Sequence, residues 1–173
     1  MNLETDIQTL RAEINKSLSV LVRIEDYIVD FQQQKLNKTP GSDEAMIITQ
    51  ALTNYYTCIE TLFLRISKFF ENNLDKEQWH RCLLEKMTLE IRNIRPKVIC
   101  ESVYHGLLEL LKFRHFSRYY FELNYDWDKL RFLLKKFNDI HVQVRIDLSE
   151  FDCFLSILID SQEEAGSDAS TLI

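Results

Sequence analysis

Apolar residues in the first part of the chain recur at steps of three and four. Ile7, Leu10, Ile14, Leu18, Leu21, Tyr27, Ile28 and Phe31 form one stripe, and the spacing predicts a long amphipathic helix from about residue 4 to 33. Pro40 and Gly41 interrupt it, so residues 37–41 read as a loop, with Ser42 and Asp43 placed to cap a second helix. The stripe of that helix is Ile48, Leu52, Tyr55, Ile59, Leu62, Ile66 and Phe69. Its alternating steps of four and three match the spacing that packs two helices lengthwise, so the first two helices should form an antiparallel hairpin.

Shorter elements follow. Asp75 can cap a helix carrying Trp79, Leu83, Leu84 and Met87, and Pro96 should end whatever helical character reaches Ile94. A helix from about Val98 towards Tyr120 buries Val103, Leu107, Leu110 and Leu111 and carries Arg114 and Arg118 near its end. Asp126 then caps a helix with Leu130, Leu133, Leu134, Phe137 and Ile140, and a last helix brings Phe151, Phe154, Leu155 and Leu158. Residues 162–173 are small, polar and acidic, which predicts a disordered acidic tail after a single domain at 1–161.

Composition points the same way. With 3 Gly and 2 Pro in 173 residues and 46% hydrophobic content, tight turns are scarce and an all-α domain is favoured over a many-stranded sheet. The chain is long enough to bury a sizeable core without crosslinks or metals. Its four cysteines, Cys58, Cys82, Cys100 and Cys153, show no CxxC pairing, and the N-terminus lacks a basic start followed by an apolar core, so a reducing cytoplasm is the expected home. Charged residues punctuate every helix, which argues against a membrane span.

Net charge is −6, yet it is unevenly spread. Residues 112–136 hold seven Lys or Arg against three acids, a local excess of +4, whereas residues 137–173 hold one base and eight acids. The basic stretch suits an RNA phosphate, an acidic partner, or simply a solvated helix face.

Residues 113–123 read Phe-Arg-His-Phe-Ser-Arg-Tyr-Tyr-Phe-Glu-Leu. Other fragments accompany this one in order: Tyr55, Tyr56, Ile59 and Glu60; Trp79 and His80 with Leu83, Leu84 and Met87; Arg95 and Pro96; then Leu123, Asp126, Trp127, Asp128 and Leu130. Together they cover most of residues 1–161, and in them the chain resembles the HepT-like proteins of the HEPN superfamily. That resemblance implies an antiparallel helical bundle with a long hairpin and shorter packed helices. It also implies a metal-independent, cofactor-free RNA endonuclease site built on an Arg, a polar residue, a His five positions after the Arg and a Tyr two further on. Arg114 and His115 match the first two positions; Tyr119 stands where the His is expected and Phe121 where the Tyr is expected.

The chemistry explains why the departure matters. A guanidinium stays charged and grips phosphate by parallel hydrogen bonds, whereas an imidazole titrates near neutrality and can move a proton. A phenol with a pKa of about 10 stays protonated and is a poor base. On the resemblance, Arg114, His115 and Tyr119 are the catalytic candidates and Arg118 and Lys112 the RNA-phosphate contacts. His115, from the same chain or across a two-fold axis, is the remaining source of an imidazole. The family pairs protomers to line one cleft, so a homodimer is implied. A minimal nucleotidyltransferase antitoxin, MNT, adds AMP to the motif tyrosine in the family; Phe121 has no hydroxyl, which leaves Tyr119 and Tyr120 as candidate acceptors.

Three functions follow from the resemblance: a toxin-like subunit whose cleavage is weakened or lost, a non-catalytic scaffold or decoy for an MNT partner, and an active nuclease that uses His115. The other histidines, His80, His105 and His141, lack partners at metal-ligand spacing and are expected to be structural. Glu60, on the core-forming second helix, is expected to make a polar contact between helices.

Overall fold

The structure, a computed structural model, describes residues 3–36, 40–71, 79–120, 122 and 124–170, with Trp79 and residues 162–170 described by backbone alone. Five α-helices make up these residues: α1 (Leu3–Lys35), α2 (Ser42–Phe70), α3 (Trp79–Thr88), α4 (Glu101–Tyr119) and α5 (Trp127–Ser170). The all-α architecture is the one the periodicity predicts. An isolated pairing of Ile91 with Arg95 supplies the remaining backbone ladder contact.

The hairpin of α1 and α2 forms the backbone of the bundle, and α5 closes over it while α4 packs between α2 and α5. Ile7, Leu10, Ile14, Leu21, Ile28 and Phe31 of α1 are buried. Two positions depart from the expected stripe: Leu18 is half-buried while Ser17 turns inward, and Tyr27 is 48% exposed while Glu25 takes the inward place. Steps of four and three from Leu21 lead through Glu25 to Ile28, so the helical geometry holds although an acid occupies the core face. Arg145 and His141 of α5 meet its Oε2 at 3.1 and 3.4 Å, which explains how the carboxylate is tolerated.

The second helix starts where expected, but its cap lies one residue earlier. Gly41 is the N-cap and Ser42 the first helical residue; Glu44 reaches back to accept the Gly41 N–H at 3.1 Å. A carboxylate three residues into the helix meets an orphan donor and the positive end of the helix dipole together, which outweighs a hydroxyl cap at Ser42. Asp75, the expected cap of α3, lies outside the described residues. α3 ends at Thr88, well before Pro96. What ends it is Arg95, whose buried guanidinium donates to the carbonyls of Lys86, Leu89 and Pro96 and pairs with Glu71, the C-cap of α2, while Asn93 turns the chain with φ of 63°.

The two last helices expected from the sequence are one. The apolar stripe of α5 continues unbroken through Val144, Leu148, Phe151, Leu155 and Ile159, with no Gly or Pro between residues 141 and 150 to interrupt it. Asp126 caps it as expected, accepting the Asp128 N–H at 2.9 Å. Its backbone continues through residues 162–170, the start of the segment expected as a tail, and residues 171–173 lie outside the described residues.

α5 also fixes α4. Asp147 accepts the Cys100 N–H at 2.8 Å, supplying from a neighbouring helix the cap that Cys100 lacks. Further along, Gly106 lets the two helices touch: a Cβ there would stand 2.4 Å from Cγ2 of Ile140. These contacts set the direction of α4, and hence where its C-terminal turns project.

Candidate functional site

Successive residues of a helix rotate by about 100°, so the last turns of α4 send their side chains to two opposite sides. Arg114 turns inward against α2. Its Nε donates to Thr57 Oγ1 at 3.3 Å, its Nη2 lies 3.3 Å from Glu60 Oε2, and its guanidinium carbon sits 6.0 Å from the centre of the Tyr56 ring. The side chain retains 15% of its exposure, and Nη1 is buried with no hydrogen-bond partner among the described residues.

Glu60 is the hub. It is buried and makes the inter-helix polar contact expected of it: Tyr56 donates to Oε1 at 3.0 Å, His80 Nδ1 approaches the same oxygen at 2.5 Å, and Oε2 faces Arg114. Burial of the carboxylate next to a cation and two donors keeps each charge compensated where solvent cannot do so. The same carboxylate raises the Tyr56 phenol, though desolvation is the larger cause. Tyr56 therefore serves as a hydrogen-bond donor.

Two imidazoles complete the cluster. His80, expected to be structural, brings its ring within 5.1 Å of His115, edge to face. His115 itself is exposed, and its pKa is lowered, first by partial desolvation and then by the neighbouring His80 and Arg114, against the pull of Glu60. An imidazole held neutral beside a cation is able to accept a proton at neutral pH. Sequence alone did not join His80 to Arg114, because the link runs through Glu60 and three separate helices; the one local signal was the four-residue step from Tyr56 to Glu60.

The remaining candidates are less tightly held. Tyr119 is 71% exposed, with the Arg118 guanidinium carbon 6.0 Å from its ring centre, so it stands in solvent. Arg118 is exposed too, one helical turn beyond Arg114 and close enough to His115 for its charge to help lower that imidazole. Tyr120 donates its hydroxyl to the Asn124 carbonyl at 2.8 Å and stacks on Phe116 at 4.8 Å, roles of packing rather than of a presented acceptor. Lys112 pairs with Glu109 at 2.7 Å on the far side of α4 from Arg114. Phe121 lies outside the described residues. Thus the structure gathers Arg114, His115 and His80 around Glu60, while Tyr120 and Lys112 make contacts of their own.

His105 meets Glu101 at 3.6 Å on the surface, and His141 stacks on Phe137 at 4.9 Å beside Glu25. Among the described residues no group of three or more His, Cys, Asp or Glu could hold a metal ion, and no helix is long and apolar enough to cross a membrane.

A protein-family model described as HepT-like protein matches residues 47–155, the stretch that contains α2 from Ile47, all of α3 and α4, and α5 as far as Leu155. No curated protein and no solved structure matches the chain.

Proposed function

The chain belongs to the HepT-like family of HEPN proteins, and from that premise we propose that it is the toxin-like component of a HEPN and MNT toxin–antitoxin pair, with an RNA cleavage site at Arg114 whose activity is weakened or lost. The observation that carries this reading is the tethering of Arg114 to Glu60 and Thr57 while an exposed phenol, Tyr119, stands where the imidazole is expected. A cation already paired with a buried carboxylate has less net charge to offer a phosphate, which must compete with Glu60 for the same guanidinium. A phenol at position 119 moves no proton at neutral pH. Both departures act in the same direction.

The site is nevertheless built and not erased. The guanidinium is aimed by contacts to two residues of α2, and His115, whose pKa is lowered by desolvation and by His80 and Arg114, sits one residue away. These features favour a second reading, in which His115 supplies the proton transfer and cleavage persists. On either reading two copies of the chain pair so that their α4 ends share a groove for the RNA, and the MNT partner docks on that assembly in a cytoplasmic setting.

RNA cleavage by purified protein, compared with an Arg114→Ala variant, tests the proposal. Weak cleavage that disappears with Arg114 supports it, and strong cleavage that disappears with both Arg114→Ala and His115→Gln establishes the second reading. Absence of cleavage in every variant, with an MNT nucleotidyltransferase still bound, replaces it with a scaffold or decoy.

A further inference from the structure

α5 carries a second regular face, turned away from the core. Val142, Ile146, Ser149 and Cys153 are exposed, recur at steps of four, three and four, and line a shallow depression with Arg145 and Glu150. Val142 and Ile146 are 48% and 44% exposed, and Ile157, beside the same face, is 64% exposed, so three branched apolar side chains stand on the outside of one helix. The spacing extends to Lys135 at one end and Asp160 at the other, both exposed and neither closed into an ion pair among the described residues. Steps of three and four sustained over this length are what lets a second helix lie lengthwise along the first. Charge is segregated along the same helix. Lys129, Arg131, Lys135 and Lys136 gather at its start, whereas residues 137–173 hold one base and eight acids.

We propose that the outer face of α5 pairs antiparallel with the same face of a second copy of this chain. A parallel copy would set base on base and acid on acid, whereas an antiparallel one lays the basic start of each helix on the acidic half of the other. The register that joins the ends brings Lys135 against the partner's Asp160, Arg145 against the partner's Glu150, Val142 against the partner's Cys153 and Ile146 against the partner's Ser149. Each pairing recurs across the two-fold axis. Branched side chains thus face small ones, which lets the two helices approach closely, and the apolar layers lie in the middle with ion pairs towards the ends. Arg145 keeps 39% of its exposure beyond its contact with Glu25, so it can take a second carboxylate. This contact is separate from the pairing of α4 ends, since Arg114 is held against α2 while this face points outward from α5. Where both form, pairs are joined into larger assemblies.

Two measurements on the full chain test the pairing, both with substitutions at exposed positions that the fold should accept. The first reads the register. In a Cys82→Ser background, which removes the other exposed thiol, Val142→Cys under a mild oxidant should join two copies through native Cys153, seen as a dimer on a non-reducing gel. Cys153→Ser should abolish that link, and Cys153 alone should form none, because in this register it stands about 16 Å along the axis from its counterpart. The second reads the charges. A contact confined to one helix face is small, so sedimentation equilibrium at micromolar concentrations is the suitable range. Lys135→Glu or Asp160→Lys alone should weaken self-association about ten-fold, since like charges then meet at both ends, and the two together should restore it. Positions 135 and 160 lie about 38 Å apart within one helix, so the rescue can come only from contact between copies. Absence of the 142–153 link overturns the proposal, as does a Cys153–Cys153 link in the protein with Cys82→Ser. So does association that the single charge variants leave unchanged or that the double variant fails to recover.

Discussion

Glu60 and Arg114 meet across the interface of α2 and α4 with Oε2 3.3 Å from Nη2, and the acid is the more deeply buried of the two. Removing one partner of such a pair leaves a charge that solvent reaches poorly. Glu60→Ala should destabilise the fold by about 2–3 kcal/mol in urea denaturation, less than the roughly 3–5 kcal/mol of a fully buried pair because Arg114 keeps Thr57 and some solvent. Adding Arg114→Ala should recover part of the loss, since the uncompensated cation is then gone. Strict additivity of the two substitutions would show that the pair is not coupled.

Gly106 is the point of closest approach between α4 and α5. In Gly106→Ala the new methyl would stand 2.4 Å from Cγ2 and 2.9 Å from Cδ1 of Ile140, a buried branched side chain that cannot simply rotate away. Overpacking of this kind costs about 1–3 kcal/mol, against roughly 1 kcal/mol gained in helix propensity, so a net loss near 1 kcal/mol is expected in thermal or denaturant unfolding. Combining it with Ile140→Ala should return the missing space, with a smaller combined loss than the sum of the two single substitutions. A stabilised Gly106→Ala protein would contradict the packing described.

Arg95 holds together the end of α3 and the turn after it. Arg95→Met keeps the apolar stem but leaves Glu71 with Lys86 alone and takes a donor from the carbonyls of Lys86, Leu89 and Pro96, and should cost about 2–3 kcal/mol. Hydrogen exchange should then accelerate first at the amides of Ile94 and Arg95, which bond to the Ile91 carbonyl. Unchanged protection there would place the anchor elsewhere.

His115 gives a pH signature. Its folded-state pKa lies below the ordinary 6.5, so the folded protein resists protonating it. The sign follows: its contribution to stability is present above the unfolded value near 6.5 and is lost as pH falls through the lower folded value. NMR titration of the imidazole should show a midpoint below 6.5, moving upward in His80→Ala and in Arg114→Ala as desolvation and repulsion are relieved. A midpoint at or above 6.5 would mean that Glu60 outweighs both.

Much of this was written in the chain. Steps of three and four located the long hairpin and its buried face, and the residues from Phe113 onward identified the end of α4 as the place to look. What periodicity missed has a physical reason in each case. A polar residue such as Glu25 can hold a core position when Arg145 and His141 from another helix meet it, and no local pattern announces a partner so distant in sequence. The pause in strong hydrophobicity between Ile140 and Phe151 reads as a break, yet with neither Gly nor Pro a helix continues through it. His80 escaped notice for a related reason: its link to Arg114 runs through Glu60, a third residue on a different helix.

The account turns on a site that retains its arginine and lacks its base, and cleavage of RNA by Tyr119→His measures that most directly. Returning an imidazole to position 119 should raise the cleavage rate about 10²- to 10⁴-fold over the parent, the usual contribution of general acid–base catalysis, and Arg114→Ala in the same background should abolish the gain. No gain from Tyr119→His in a protein that still folds and still binds RNA would contradict the account.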